Sequence, residues 1–333
     1  MNALVNIRSR NRRPVKELVV ISGKGGTGKT SLAASFAALA KMAVLADCDV
    51  DAADLHLLAA PRIIRGEPFT GGKHAWIDPG SCTACGQCEE LCRFDAIHLD
   101  GPGNIAFPAT CRVERTACEG CGVCAWFCPT QAIQLKPTVS GEWFESDTRF
   151  GPMVHARLGA GEENSGKLVS LVRATARSIA EERGIDLVVV DGSPGIGCPV
   201  IASITGADLV LIVAEPTPSG LHDMERVASL THYFGVPAAV CVNKWDLNPC
   251  IGESIEARAL EQDMTLAGRI RYDPAVTEAQ VDGMALVEYT RRGSATDVRQ
   301  TWRRLASALF ESTVNHAARP RPQEFSSHAV RGR

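Results

Sequence analysis

The sequence predicts an α/β fold, in which a mainly parallel sheet carries helices on both faces and a small α+β domain is inserted. Strand-like apolar runs alternate with helical patterns along most of the 333 residues, an order typical of parallel sheets. Residues 187–190 and 209–213 are continuously apolar, as expected for central strands that are buried on both faces. Residues 72–137 break this alternation and contain nine of the thirteen cysteines. This segment is therefore predicted to be a separate small domain.

The alternation predicts six strands and five long helices. The strands are expected at residues 17–22, 42–47, 186–191, 208–214, 238–242 and 266–270. The helices are expected at residues 29–40, 167–182, 219–234, 254–262 and 295–312. The chain is predicted to comprise an N-terminal extension (1–14), a discontinuous nucleotide-binding domain (15–71 and 138–316), the inserted domain (72–137) and a disordered tail (317–333).

Composition narrows the functional classes. The net charge is −3, so no nucleic-acid partner is expected. No run approaches the roughly 20 apolar residues that span a bilayer, and no apolar signal region follows the basic start. We therefore expect a cytoplasmic protein without membrane association. In that reducing compartment the thirteen cysteines are not expected to form disulfides, and their grouping indicates metal binding.

A phosphate-binding loop follows the first predicted strand. Its residues are Gly23, Lys24, Gly25, Gly26, Thr27, Gly28, Lys29 and Thr30, with Ser31 next in the helix. The glycines let backbone N–H groups surround phosphate oxygens at a helix N-terminus, where the helix dipole favours negative charge. Lys29 is expected to reach the β- and γ-phosphates, and the Thr30 hydroxyl to bind Mg²⁺. The whole run, Ser31 included, is therefore assigned to nucleotide binding.

Lys24 adds a second lysine to this loop. With it, the loop resembles that of the deviant P-loop ATPases, the family of MinD, ParA, the nitrogenase iron protein and the Mrp/Nbp-type cluster carriers. The resemblance implies a MinD-type P-loop fold, ATP as the ligand and a dimer in the ATP state. It also implies that Lys24 contacts nucleotide phosphates across the dimer interface and assists catalysis together with Lys29. The dimer could be a homodimer or a heterodimer with a related ATPase.

The carboxylates that follow the second strand resemble the first switch region of this family. The resemblance assigns Asp47 and Asp49 to catalysis, because they place the attacking water and tune hydrolysis, and Asp47 also to the Mg²⁺ shell. Asp51 is an alternative to them, whereas Asp54 is expected to cap a helix. Asp191 ends a later strand and is expected to hold Mg²⁺ through water. The glycine-rich turn after it resembles the second switch region.

Two later loops are expected to face the nucleotide base. Asn243 and Asp246 belong to an NKxD sequence, in which a GTPase uses the aspartate to bind guanine. In MinD-like proteins the asparagine contacts adenine, so the resemblance favours ATP. Glu215 and Pro216 resemble the base-side loop of the family, although a rigid turn is an alternative interpretation.

The inserted segment carries two copies of the bacterial ferredoxin spacing, C-x2-C-x2-C-x3-C, about 36 residues apart. Because the fourth cysteine of each copy ligates the other cluster, two crossed ligand sets are predicted. Cluster one takes Cys82, Cys85, Cys88 and Cys128, and cluster two takes Cys92, Cys118, Cys121 and Cys124. Zinc is the less favoured alternative, since zinc ribbons use paired CxxC elements.

Three further residues need separate interpretation. Arg93 stands where the ferredoxin pattern has proline after the fourth cysteine, and this departure removes no ligand. Cys111 is interpreted as a free buried thiol. Cys198, after the second switch turn, is interpreted as a buried apolar residue, and a redox or cluster contact is the less favoured alternative.

The combination resembles a MinD-superfamily ATPase with an inserted two-cluster 4Fe–4S ferredoxin domain. It implies an ATPase whose nucleotide switch is coupled to electron transfer, with a redox partner or cluster-acceptor protein. The insertion is expected to join the sheet directly after the first switch. One alternative function is a Mrp/Nbp-type cluster carrier, which the lack of a CxxC outside the insertion disfavours.

Another alternative is a positioning ATPase that cycles on a membrane through its last helix. That helix has an apolar stripe, which packing on the sheet explains better than lipid binding. The stripe consists of Trp302, Leu305, Ala306, Leu309 and Phe310.

Overall fold

The computed structural model describes residues 13–159 and 165–311. Its strands are β1 Lys16–Ile21, β2 Val44–Asp47, β3 Arg62–Phe69, β4 Gly72–Ile77, β5 Ile97–Gly101, β6 Thr110–Val113, β7 Ile133–Thr138, β8 Gly141–Thr148, β9 Gly151–Leu158, β10 Leu187–Asp191, β11 Leu209–Ala214, β12 Ala238–Asn243 and β13 Thr265–Ile270. Its helices are α1 Lys29–Ala40, α2 Leu55–Ala59, α3 Gln87–Glu90, α4 Val123–Phe127, α5 Ser165–Arg183, α6 Cys198–Ile204, α7 Pro218–Tyr233, α8 Pro249–Glu261, α9 Ala275–Val281, α10 Leu286–Tyr289 and α11 Ser294–Glu311, with a 3-10 turn at Trp245–Leu247.

The main sheet has nine strands in the order β13-β12-β11-β1-β10-β2-β9-β8-β3. The strands from β13 to β9 are parallel, and β8 and β3 continue the sheet in antiparallel pairing. Alternate residues of β1 enter two core layers, with Val19 and Ile21 on one face and Leu18 and Val20 on the other. Helices α5 to α8 cover the first face, and α1, α2, α10 and α11 cover the second. The prediction of a mainly parallel sheet with helices on both faces is confirmed.

All six predicted strands and all five predicted long helices form within a few residues of their expected bounds. Strands β3, β8 and β9 and the shorter helices of the main domain were not predicted. The edge strand β3 illustrates the reason: most of its side chains, including Ile63 and Ile64, are exposed. Its sequence therefore lacks the apolar pattern of a strand that packs against a core.

The cysteine-rich segment joins the sheet at its far edge, which corrects the expectation that it follows the first switch directly. Helix α2 and strand β3 intervene between Asp54 and Gly72. Strand β9 is parallel to β2, β8 is antiparallel to β9, and β3 is antiparallel to β8. Phe69 of β3 and Gly141 of β8 are therefore paired at the carboxyl end of the sheet. The segment between them leaves the sheet on the edge where ligands of such folds bind.

Residues 72–138, here called the cysteine module, form two small antiparallel pairs. Strand β4 pairs with β7, and β5 pairs with β6, so each cysteine motif lies between one strand of each pair. Backbone conformation repeats at the same interval as the sequence. Left-handed residues occur at Ala84 and Gly120, at Gly86 and Gly122, and at Asp95 and Gln131. The internal repeat read from the sequence is thus a structural repeat.

The last helix packs on the sheet, as favoured from its sequence. Leu305 and Leu309 are buried in the second core layer, and the Trp302 ring stacks on Phe36 at 5.6 Å between centroids. In the part of the chain that the structure describes, no helix has the length and apolar character to cross a membrane. The predicted tail (317–333) and most of the predicted N-terminal extension lie outside the described residues.

Candidate nucleotide site and cysteine sites

The phosphate loop connects β1 to α1 at the carboxyl end of the sheet. Gly28 is the N-cap of α1 and has a φ of 92°, a conformation that L side chains rarely adopt. A Cβ at this position would lie 2.6 Å from the side-chain Nδ2 of Asn243. That amide donates a hydrogen bond of 2.8 Å to the Thr27 carbonyl, so the end of β12 fixes the shape of the loop.

Lys29 begins α1 and is buried beside the acidic loop that follows β2. Its ammonium nitrogen lies 3.6 Å from the Asp49 carboxylate. Burial raises the pKa of Asp49, and the charge of Lys29 opposes that shift. The buried cation is thus already placed among carboxylates, and phosphate oxygens could compete for it.

Asp47 and Asp191 end the neighbouring strands β2 and β10 and are paired in the sheet register. Both side chains are buried. Burial raises the pKa of Asp191 to about 6, although Lys29 and the nearby Thr30 hydroxyl lower it. Burial and repulsion from Asp191 raise the pKa of Asp47 well above its usual range. A cation bound between these two adjacent buried carboxyls would stabilise their charged forms.

Magnesium fits this pair. Among the described residues, neither carboxylate oxygen of Asp191 has a hydrogen-bond partner of good geometry, and Thr30 is nearby. Within the described ranges no three His, Cys, Asp or Glu side chains converge as ligands of one metal ion. Magnesium does not need such a cage, because it retains several waters and uses one or two carboxylates plus substrate phosphates. Thr30, Asp47 and Asp191 are placed to provide that shell.

Hydrogen bonds join the two predicted switch regions. The Cys48 amide donates to the Asp191 carbonyl at 2.8 Å, and the Ser193 hydroxyl donates to the Cys48 carbonyl at 2.6 Å. The Gly195 amide donates to the Ser22 carbonyl, next to the phosphate loop, at 2.9 Å. A movement of either switch region would therefore be transmitted to the other through these hydrogen bonds.

The capping role expected of Asp54 belongs to another residue. Asp54 occupies the N-cap position of α2, but its side chain makes no capping hydrogen bond. Asp47 instead accepts from the amides of Asp49 and Leu55, at 3.2 and 3.3 Å. Asp51 is exposed, so the buried pair Asp47 and Asp49 is better placed near the phosphate loop.

Lys24 is held by a carboxylate of its own chain. Its ammonium group lies 3.0 Å from Glu215, which also binds Lys244 at 2.6 Å. Burial alone would raise the pKa of Glu215, but Lys244 and Lys24 hold it below its usual value. Lys244 also donates to the Gly26 carbonyl at 3.3 Å. Glu215 thus joins the phosphate loop to the loop after β12.

A cavity of about 190 Å³ lies between the start of α1 and the ends of β12 and β13, and Glu215, Pro216 and Asp246 are not among its lining residues. Asn243 and Lys244 contribute to its wall, and so do Tyr272 and Gln280, which no sequence motif indicated. Gln280 donates to the Ser31 hydroxyl at 2.8 Å, at the start of α1. Asp246 accepts from the Tyr272 amide at 2.6 Å and so fixes the loop after β13. Pro216 is buried at the turn that precedes α7.

The cysteines of predicted cluster one surround one small cavity. The cavity is lined by Cys82, Cys85, Cys88 and Cys128, together with Cys111. Burial and hydrogen bonding to the Cys111 thiol raise the pKa of Cys88 to about 12. Cys111 is buried, as interpreted from the sequence, but it lies at the cluster-one position.

The cysteines of predicted cluster two are also neighbours. Burial raises the pKa of Cys124, and the nearby Cys118, Cys121 and Cys92 raise it further. The Cys92 sulfur accepts from the Ala96 amide at 3.4 Å, and the Cys118 sulfur from the Ala75 amide at 3.5 Å. The fourth cysteine of the first motif therefore lies with the three closely spaced cysteines of the second.

The ligands of an iron–sulfur cluster are expected to be arranged differently from those of a single ion. A structural zinc ion needs four ligands about 2 Å from one point. Among the described His, Cys, Asp and Glu side chains no such group forms. In a cubane each thiolate binds a different iron, so the ligand sulfurs are spread around the cluster.

Cys198 corrects an expectation, because it is exposed at the start of α6 rather than buried. The backbone of α5 passes close to it, so that a Cβ at Gly166 would lie 3.3 Å from the Cys198 Cβ. Cys250 is also exposed, whereas Cys48 and Cys241 are buried.

Comparison with known proteins identifies the family. Residues 18–287 match the CobQ/CobB/MinD/ParA nucleotide binding domain. The chain belongs to this family. An uncharacterised protein of Methanocaldococcus jannaschii, MJ0578, is 32% identical over 243 residues, which cover 70% of this chain and 80% of that protein.

Two solved structures share the fold. The cell division ATPase MinD of Pyrococcus furiosus is 16% identical with a TM-score of 0.53, and the match covers 88% of this chain and 98% of that one. The septum site-determining protein MinD of Pyrococcus horikoshii, complexed with Mg-ADP, is 15% identical with a TM-score of 0.51, and the match covers 87% and 96%.

Proposed function

We propose that this family member is an ATP-hydrolysing switch coupled to two 4Fe–4S clusters, which passes electrons to a partner protein. It would act in the cytoplasm as a homodimer or as a heterodimer with a related ATPase. The observation that carries the proposal is the attachment of the cysteine module at the carboxyl end of the nucleotide-binding sheet.

The nucleotide half of the proposal rests on the phosphate loop and its carboxylates. Lys29 would bind the β- and γ-phosphates, while Thr30, Asp47 and Asp191 would hold Mg²⁺. Asp47 and Asp49 would orient the attacking water, which requires groups placed before the reaction begins. The Mg-ADP complex of the Pyrococcus horikoshii protein supports an adenine nucleotide.

Asp246 also favours ATP over GTP. A GTPase of the NKxD type uses this aspartate to accept hydrogen bonds from guanine. In this chain the carboxylate already accepts from the Tyr272 amide at 2.6 Å and is fixed by that bond. Asn243 lines the adjoining cavity, where its Nδ2 donates to the Thr27 carbonyl and its Oδ1 accepts from the Lys244 amide. The second hydrogen on Nδ2 would be its donor to an adenine ring.

The redox half of the proposal rests on the crossed cysteine sets. Clusters held by four thiolates supply one-electron transfer at potentials that the surrounding protein adjusts. Cys85 and Cys121 are exposed, so both sites lie near the protein surface, where a partner could approach. With complete thiolate ligation at both sites, electron transfer is favoured over donation of a cluster.

A chain of contacts could couple the two halves. Cys198 follows the second switch turn and lies against Gly166 of α5. In the next residue of that helix, the Lys167 ammonium group donates to the Gly71 carbonyl at 3.3 Å. Gly71 immediately precedes the cysteine module. A shift of the second switch on ATP binding or hydrolysis could thereby reach the base of the module.

The test is electron paramagnetic resonance of the anaerobically purified, dithionite-reduced protein, with and without MgATP. We expect about eight iron atoms per chain and a cluster signal that shifts with MgATP. Lys167→Ala should retain iron and nucleotide binding but lose the shift. A signal that MgATP leaves unchanged in the wild-type protein would contradict coupling, and an iron content near four, or zinc, would contradict the two-cluster assignment.

A further inference from the structure

The two cysteine motifs are related by pseudo-symmetry but differ at one neighbouring position. Ala75 precedes Cys82 by seven residues, and Cys111 precedes Cys118 by seven residues. They occupy corresponding strands, β4 and β6, which lie before the two motifs. Ala75 lies at the cluster-two site, because its amide donates to the Cys118 sulfur at 3.5 Å. Cys111 lies in the cavity of the cluster-one site.

Cys111 packs among the predicted cluster-one ligands. Its side chain is 3% exposed and is part of the small core of the module. Cys82 and Cys88 are buried in the same small core and line the same cavity as Cys111. The cluster-two site has no comparable side chain at this position, because Ala75 ends at a methyl group.

When a cluster occupies the cluster-one site, Cys111 can act as a hydrogen-bond donor to it. Cluster-bound cysteines are thiolates and carry no proton. Of the three thiols that are in contact here, only Cys111 can then donate an S–H hydrogen bond. Hydrogen bonds to cluster sulfurs are among the factors that set the reduction potential, because they stabilise the additional negative charge of the reduced state.

We propose that Cys111 is a positioning residue that donates a hydrogen bond to the cluster-one sulfurs and raises the reduction potential of that cluster above that of cluster two. The inference rests on the proposed two-cluster function. A higher potential at cluster one would set the direction of electron transfer within the module. Electrons would move from cluster two to cluster one. Cys111 itself remains a free thiol.

The chain provides a reciprocal pair of variants for the test. Cys111→Ala gives the first site the residue of the second, and Ala75→Cys gives the second site the residue of the first. Redox titrations followed by electron paramagnetic resonance should find two distinct potentials in the wild-type protein. Cys111→Ala should lower the potential of cluster one alone and narrow the difference, and Ala75→Cys should raise that of cluster two. Cys111→Ser, which keeps a donor, should restore part of the shift.

Cys250→Ala removes an exposed cysteine outside the module and serves as the control, with unchanged potentials expected. Unchanged potentials in Cys111→Ala would overturn the inference. So would the loss of about four iron atoms from Cys111→Ala, since Cys111 would then be a ligand. A wild-type protein without two clusters would instead refute the proposed function, so the two failures are distinguishable.

Discussion

The nucleotide site and the cysteine module share one end of the sheet but are built in opposite ways. The nucleotide site takes its residues from strand ends that lie far apart in sequence, between Lys24 and Lys244. Large core layers on both sides of the sheet hold those strands in place. The eight cysteines predicted as cluster ligands lie within residues 82–128. Their common core is small, and four of its nine buried residues are themselves cysteines.

This difference indicates that different interactions determine the geometry of the two sites. The nucleotide site is preorganised by packing, so its buried charges exist before ligand arrives. The module has a small apolar interior. We expect its shape to depend on bound metal, since small domains with little core commonly depend on metals or cross-links. The following experiments, in order of decreasing effect, test how separate the two sites are.

The largest effect is expected from Lys29→Ala. This change removes the buried cation that faces the phosphates and leaves Asp49 without its ion-pair partner. ATP hydrolysis should fall by roughly 100-fold or more. Iron content should stay at the wild-type value if the sites are built independently. Phosphate release and iron analysis of the same preparation make the test, and loss of iron would contradict the separation.

A matched pair of cysteine variants tests the crossed ligation. Cys92→Ser belongs to the first motif in sequence but is predicted to remove cluster two, because Cys92 lies beside Cys124. Cys128→Ser should remove cluster one, whose cavity it lines. Each variant should lose about half of its iron, and spectra of the two remaining clusters should differ. Identical remaining spectra would contradict the crossed sets.

Removal of iron tests whether the fold of the module depends on the proposed clusters. Because metal binding contributes folding free energy in small metal domains, residues 72–138 should lose amide protection after anaerobic chelation. The strands of the main sheet should keep theirs. Hydrogen exchange measured by mass spectrometry gives both results in one experiment. A module that stays protected without iron would show that packing alone holds it.

The pH dependence of the nucleotide site follows from the raised pKa of Asp191, about 6. Mg²⁺ needs the charged carboxylate, so Mg-nucleotide affinity should fall by up to about tenfold per pH unit below that value. The ligand-free protein should show the opposite trend. Its folded state binds the proton more tightly than the unfolded state, so stability should decrease as pH rises from 4 through 6. Calorimetry and thermal unfolding measure the two trends.

Asp191→Asn is the control for these pH effects. It should weaken Mg²⁺ binding at every pH, while the pH dependence in both measurements becomes smaller. An unaltered pH dependence would assign the effect to Asp47 or to another group.

The smallest effect is expected from Glu215→Gln. Lys24 and Lys244 both bind Glu215, so neutralising it releases Lys24 toward nucleotide phosphates. The pair is partly exposed, and the ATP concentration needed for dimer formation should therefore fall only about two- to fivefold. Sedimentation at graded ATP concentrations measures it. Glu225→Gln, which breaks an exposed pair with Arg258, is the matched control.

Lys24→Ala is the companion variant and should cripple ATP-dependent dimerisation. Unchanged dimerisation in Lys24→Ala would refute a role for Lys24 across the interface. An unchanged ATP requirement in Glu215→Gln would show that Glu215 does not restrain Lys24.

Local patterns in the sequence were sufficient for the central strands, the phosphate loop and the cysteine repeat. Residues 209–213 are apolar throughout, and every residue of β11 is buried. The glycine at position 28 and the 36-residue repeat are likewise properties of short segments, because backbone conformation and motif spacing are local. The sequence by itself therefore determined the fold class and the phosphate loop, and it predicted the ligands of the cysteine sites, through periodicity and spacing.

Only the tertiary structure decided how these pieces meet. The exposed strand β3 has no core-facing pattern, so the attachment of the module at the sheet edge could not be read from the sequence. Three contacts join segments that are distant in sequence. They are the ion pair of Lys24 with Glu215, the hydrogen bond from the Tyr272 amide to Asp246, and the position of Cys111 beside Cys88. Such contacts depend on which strands become neighbours in the sheet, and local sequence patterns do not specify that order.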